Sequence, residues 1–206
     1  MKNIIYHIYW GTSGNSGLYL DEIYQVLKSN GYEQRVFVNY YYPFDYGNKI
    51  FFKRGDIAHG KYKGAVRKIF QLLEILKGYA LILCYAIKER PSIINYSHIG
   101  QSYFFIVWFL RVLKFVSGST LVITCHDVNP HGLVRGEMKN RTKIFNAGDK
   151  LLVHNQRSKD ELIELLGAPN ETLVYHLFPI MDLTKLKTDT QTPFKQVDFL
   201  FIGHVR

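Results

Sequence analysis

Short runs of branched and aromatic residues alternate along this chain with stretches of helical periodicity, and few folds accept that alternation. The strand-like runs are Asn3–Tyr9 (NIIYHIY), Arg35–Asn39 (RVFVN), Ser92–Tyr96 (SIINY), Thr120–Thr124, Asp149–His154 (DKLLVH), Leu173–Phe178 and Phe199–Ile202. Between the first two lies Trp10-Gly-Thr-Ser-Gly-Asn-Ser-Gly17, followed by Leu18, Leu20, Ile23, Val26 and Leu27 at helical spacing, with Asn30-Gly31 as a stop. Strand, glycine-rich turn, helix, strand is the opening of a doubly wound α/β sheet.

Further helices are expected at Ala65–Arg90, broken near Gly78 and stopped by Pro91, at Tyr103–Val116, and at Glu137–Asn146. Tyr103–Val116 is apolar nearly all round, which predicts heavy burial. Ser158 and Glu161 fit a capping box for a helix that runs to Leu166 and ends at Gly167. Tyr40–Lys63 has no period and reads as an excursion or long loop. Its aromatic group, Tyr40, Tyr41, Tyr42, Phe44 and Tyr46, suits loop packing, stacking on sugar rings or a lipid interface.

The balance of 26 Lys+Arg against 17 Asp+Glu, +9 over 206 residues, suggests a polyanionic partner or a merely basic surface. The basic residues are scattered rather than massed, so nucleic acid is not expected. Cys84 and Cys125 sit in apolar sequence and read as reduced small hydrophobes, which fits a cytoplasmic location. No signal peptide is evident. Of the two longest apolar stretches, Gly78–Ile87 is too short to span a bilayer and Tyr103–Val116 carries Arg111 and Lys114, so neither is expected to cross one.

Chemistry in such sheets collects past the carboxyl ends of strands. Leu121–Thr124 runs out into His126, Asp127, Asn129 and His131, with Pro130 and Gly132 preventing regular structure. This segment is either the lip of an active site or a capped turn. Gly11, Gly14 and Gly17 in the first loop let backbone approach a phosphate, or simply make a turn. Ser13 breaks the dinucleotide fingerprint, Asn39 stands where its acidic residue belongs, and no Gly-Lys-Ser/Thr occurs. A nicotinamide, flavin or P-loop enzyme is therefore disfavoured. His126 and His131, five apart in an irregular loop, lack zinc-hydrolase spacing, so no metal is expected.

Three segments taken in order resemble a known family: the glycine loop with Leu18-Tyr-Leu-Asp-Glu-Ile; Ile123-Thr-Cys-His-Asp-Val-Asn-Pro-His; and Leu152-Val-His-Asn-Gln-Arg-Ser-Lys-Asp-Glu-Leu with Val174-Tyr-His-Leu-Phe-Pro179. They are similar to the N-terminal half of retaining GT-B glycosyltransferases, the "glycosyl transferases group 1" family. The resemblance implies a Rossmann-like, open, mainly parallel sheet with helices on both faces over residues 1–180. It also implies a linker at 181–196 and, at 197–206, the first strand of a C-terminal domain. It places Gly14, Asn15, Ser16 and Gly17 near the donor phosphates and His126 beside the reacting sugar. Asp127 would orient that loop, with His131, His154 and Asn155 as substrate contacts.

The implied partners are a nucleotide-sugar donor, used as a substrate without cofactor or metal, and a sugar or lipid-linked acceptor for polysaccharide biosynthesis. The family's acidic motif and donor pocket are not among these 206 residues, so little or no transfer is expected from the chain alone. A donor-binding partner chain would complete it. The remaining alternatives are a non-catalytic partner subunit of a split enzyme and another α/β nucleotide-dependent enzyme. The basic balance and the Tyr/Lys-rich excursion add an anionic membrane surface as a partner, at the inner face.

Overall fold

Six consecutive buried residues, Ile4–Tyr9, form β1. Burial on both faces is what an interior strand of a parallel sheet requires. In the computed structural model, β1 pairs with β2 (Glu33–Asn39) on one side and β4 (Ile93–Ser97) on the other, with His7 opposite Val36 and Asn95. The remaining strands are β3 (Lys49–Phe52), β5 (Thr120–Cys125), β6 (Lys150–Val153) and β7 (Leu173–Tyr175). Their order is β3-β2-β1-β4-β5-β6-β7, and every pair is parallel. The structure describes residues 4–9, 15–39, 42, 44–47, 49–52, 63–97, 103–125, 128, 137–167 and 170–175. The expected linker at 181–196 and strand at 197–206 lie outside these residues.

The connecting helices are α1 (Asn15–Ser29), α2 (Gly64–Glu89), α3 (Tyr103–Ser117), α4 (Glu137–Phe145) and α5 (Gln156–Leu166). Strand alternation sorts side chains to two faces. On one face Tyr6, Ile8, Phe37, Ile94, Tyr96, Ile123 and Val153 pack with Tyr79 and Ile82 of α2, Phe109 and Leu113 of α3, and Phe145 of α4. On the other, Tyr9, Val36 and Val38 pack with Leu20 of α1. Glu89 at the end of α2 is gripped from the sheet by Arg35, whose Nε and Nη2 donate at 2.8 and 2.5 Å, and by the Tyr6 hydroxyl at 2.5 Å. This clamp fixes the helix against β1 and β2.

Four expectations are corrected. The Tyr40–Lys63 excursion contains a strand, β3, which lies at the sheet edge and pairs with β2. Helix α2 runs unbroken through Gly78, which is buried with Tyr79, Ile82 and Ala86. Packing there outweighs the roughly 1 kcal/mol cost of an interior glycine. The helix stops at Arg90, in the left-handed region at φ 47, before Pro91. Helix α3 is not buried all round: Trp108 and Phe115 on its outer side are 51% and 88% exposed.

The fourth correction concerns α5. Its cap is Asn155, whose Oδ1 accepts from the Ser158 N–H at 2.7 Å, and Glu161 pairs instead with Arg157 at 2.9 Å. The helix therefore begins about one turn before the expected capping box. Asn155→Ala is expected to cost about 1 kcal/mol in urea unfolding. Ser158→Ala, which removes no cap, is expected to cost clearly less; the reverse ranking would refute the assignment.

Candidate functional site

A parallel sheet delivers all its carboxyl ends to one edge, here at Tyr9, Asn39, Ser97, Cys125 and Val153. Helix α1 starts there after β1, and α5 starts there after β6. Neither has an acidic residue in its first turn. Their own side chains thus leave the positive helix ends uncompensated, which suits an anionic group.

Gly14, His126, Asp127 and His131 lie outside the described residues. Asn15 and Ser16 open the first turn of α1. The carbonyl of Gly17 accepts the Tyr42 hydroxyl at 3.3 Å. A methyl at Gly17 would stand 3.6 Å from Tyr42 Cε2 and 3.7 Å from the Tyr9 hydroxyl, both ordinary contacts, so packing alone does not demand a glycine. His154 is buried at the end of β6 and meets the ring of Tyr19 edge-on, with centroids 4.3 Å apart. This contact joins the helix behind the glycine loop to the far side of the edge. Burial pushes the Tyr19 phenol up, so it stays protonated. Asn155 is exposed beside His154, its Oδ1 committed to the α5 cap.

Of the aromatic residues after β2, the described ones pack together. Tyr42, Phe44 and Tyr46 form one cluster with Tyr9; Tyr46 stacks on Tyr24 at 4.0 Å and donates its hydroxyl to buried Asp21. Tyr40 and Tyr41 lie outside the described residues. The two cysteines are free. Cys125 is buried, which raises its pKa and keeps it a thiol, whereas Cys84 is exposed on α2. Among the described residues no three of His, Cys, Asp and Glu converge to hold a metal.

Sequence reasoning passed over a polar ladder buried beneath the edge, on the α1 side. The Thr124 hydroxyl donates to Asn95 Oδ1 at 2.8 Å, the Asn95 amide stands 3.4 Å from His7 Nδ1, and His7 Nε2 is 2.9 Å from Gln34 Oε1. Gln34 Nε2 in turn donates to the Tyr24 carbonyl at 2.9 Å. One assignment satisfies every member: a neutral His7 with its proton on Nε2, accepting from Asn95 and donating to Gln34. Burial lowers the His7 pKa to about 4, against a smaller opposing effect of Gln34, in keeping with that neutral form. The available signal was the polar residues His7, Asn95 and Thr124 within the apolar runs NIIYHIY, SIINY and LVIT.

These features define a Rossmann-like α/β domain. The chain is similar in structure to a glycosyltransferase from Rickettsia africae ESF-5, with a TM-score of 0.54 and 14% identity over 85% of this chain and 43% of that one. It is likewise similar to a protein assigned as a UDP-N-acetylglucosamine 2-epimerase from Listeria monocytogenes, with a TM-score of 0.53 and 12% identity over 84% and 44%. The chain thus spans less than half the length of either. No protein-family model matches it, and no match is found among curated proteins.

Proposed function

We propose that the chain is the acceptor-binding half of a retaining, cytoplasmic glycosyltransferase of the group 1 type. Such an enzyme moves a sugar from a nucleotide-sugar donor to a glycan or lipid-linked glycan precursor. The observation that carries this reading is the Tyr19–His154 contact, which ties together two helices that both start at one strand edge with no acidic residue in their first turns. Charge develops on a leaving diphosphate during transfer, and oriented N–H groups stabilise it without reorganising. In this reading Gly14, Asn15, Ser16 and Gly17 lie along the diphosphate. His126 stands beside the reacting sugar, held by Asp127, while His131, His154 and Asn155 contact the substrates. No metal is needed, and a donor-binding wall completes the cleft.

A second reading, another enzyme acting on a nucleotide sugar, draws on the likeness to the epimerase. A thermal-shift screen separates the main alternatives. Dinucleotides are expected to leave the melting temperature of this chain unchanged, and tight dinucleotide binding would overturn the first reading. In a protein that carries a donor-binding half as well, nucleotide-sugar turnover should depend on His126; near-normal turnover by His126→Ala removes that residue from the mechanism. Net transfer to a glycan, rather than interconversion of free nucleotide sugars, selects the first reading over the second.

A further inference from the structure

Helix α2 is apolar on two opposite sides. Its inner side, Tyr79, Ile82 and Ala86, belongs to the core. Its outer side carries Val66, Ile69, Leu73, Leu76 and Ile87, each 41–57% exposed. Val66, Ile69, Leu73 and Leu76 follow at three or four residues and Ile87 three turns further on, a stripe about 32 Å long at the α-helical rise of about 1.5 Å per residue. Helix α3 packs beside α2 on the same sheet face, with Tyr79 stacked on Phe109 at 4.0 Å. Its outer side adds Trp108 and Phe115. Two neighbouring helices thus both expose large apolar residues, which is unusual for a surface facing water.

The charges around it are mostly positive. Lys63, Arg67, Lys68, Lys77, Lys88 and Arg111 are all exposed on or beside these helices. Glu74 and Glu89 are the acidic residues of α2, α3 has none, and Glu89 is held by Arg35. We propose that the outer face of α2 and α3 docks in the plane of an anionic lipid membrane.

Three observations select this occupant. A second copy of the chain would set two clusters of lysine and arginine against each other, which disfavours a pair. Apolar residues, an exposed tryptophan and flanking basic residues together match the acyl–headgroup boundary of an anionic bilayer. Helix α2 is also long and apolar enough to cross a membrane. However, a spanning α2 would have to withdraw Tyr79, Ile82 and Ala86 from the core, so the helix lies along the surface. The proposal rests on this surface alone and stands independently of the reaction at the strand edge.

The test is co-sedimentation of the 206-residue chain with vesicles of phosphatidylcholine and phosphatidylglycerol in equal parts, and with phosphatidylcholine alone. Binding is expected on the mixed vesicles and weakly or not at all on the neutral ones. Ile69→Glu with Leu73→Glu, two positions more than half exposed, should lower the partition coefficient at least about tenfold. Lys77→Gln and Lys88→Gln should lower it about fivefold each. Circular dichroism confirms that the variants fold, and sedimentation equilibrium without lipid is expected to show a monomer. Equal partition on both vesicle types, no binding to either, or no response to the glutamates overturns the proposal. So does a lipid-free dimer that the glutamates dissociate, because a second copy then covers the face.

Discussion

Replacing His7 by leucine is expected to destabilise the chain by about 2–4 kcal/mol at pH 7, although the side chain is buried and leucine is the more hydrophobic residue. Leucine leaves the Asn95 amide and Gln34 Oε1 without the partners they have at 3.4 and 2.9 Å. The stranded amide of buried Asn95 costs about 1–3 kcal/mol and the half-buried Gln34 oxygen less, and the added apolar burial offsets only part of that. The same variant tests the protonation state. His7 has a folded pKa of about 4 against 6.5 for the free side chain. The unfolded chain therefore takes up the proton first as pH falls. Stability is fully present above about pH 6.5 and declines toward pH 4, by about 3 kcal/mol in all. The leucine variant lacks this contribution, so its deficit should shrink by about 2 kcal/mol between pH 7 and pH 5. Urea unfolding at the two pH values measures both quantities. A cost below about 0.5 kcal/mol at pH 7, with an unchanged pH slope, would mean the ladder does not hold.

Two phenylalanines six residues apart on α3 should behave in opposite ways. Phe109 is fully buried, its ring lying parallel to Tyr79. Phe109→Ala removes that stacking and leaves a cavity, for a loss of about 3–5 kcal/mol. Against a total of about 5–15 kcal/mol for an ordinary domain, this is a large share of the stability. Phe115 is 88% exposed, and Phe115→Ala should shift stability by no more than about 0.5 kcal/mol. Urea midpoints of the two variants, compared at equal transition slope, give the answer. Equal losses would show that α3 turns a different side to the sheet.

The parts of the fold legible in the sequence were those written in local pattern. Ile4–Tyr9, Glu33–Asn39 and Thr120–Cys125 are dense in branched and aromatic residues, and glycine or proline punctuates their ends. Strand β3 escaped because Lys49–Phe52 is four residues long and lies in tyrosine- and lysine-rich sequence, so its strand character depends on pairing with β2. Periodicity could not tell which side of α3 is buried, because apolar residues stand on both. Asn155 and Ser158 are equally good capping residues in isolation, and the end of β6 decides between them. The ladder depends on register: His7, Asn95 and Thr124 meet only after three strands, far apart in sequence, align. For the site, the strand–glycine loop–helix order at the first junction was legible, whereas the start of α5 at Asn155 was not. That Tyr19 reaches His154 across the edge was not, since it depends on how α1 lies over the sheet.

The central position of β1 has a consequence for synthesis. Its first neighbour, β2, leaves the ribosome soon after it. Its second, β4, brings Ile93 opposite Ile5, 88 residues later in the chain. At roughly 5–20 residues per second, that edge of β1 waits roughly 4–18 s for its partner. Throughout that interval a strand of six apolar or aromatic-flanked residues shows an unpaired row of amides and carbonyls, the surface onto which other chains add. Such an unpaired edge is the kind of surface ribosome-associated chaperones cover, and here it forms before the helices of the opposite face have been made.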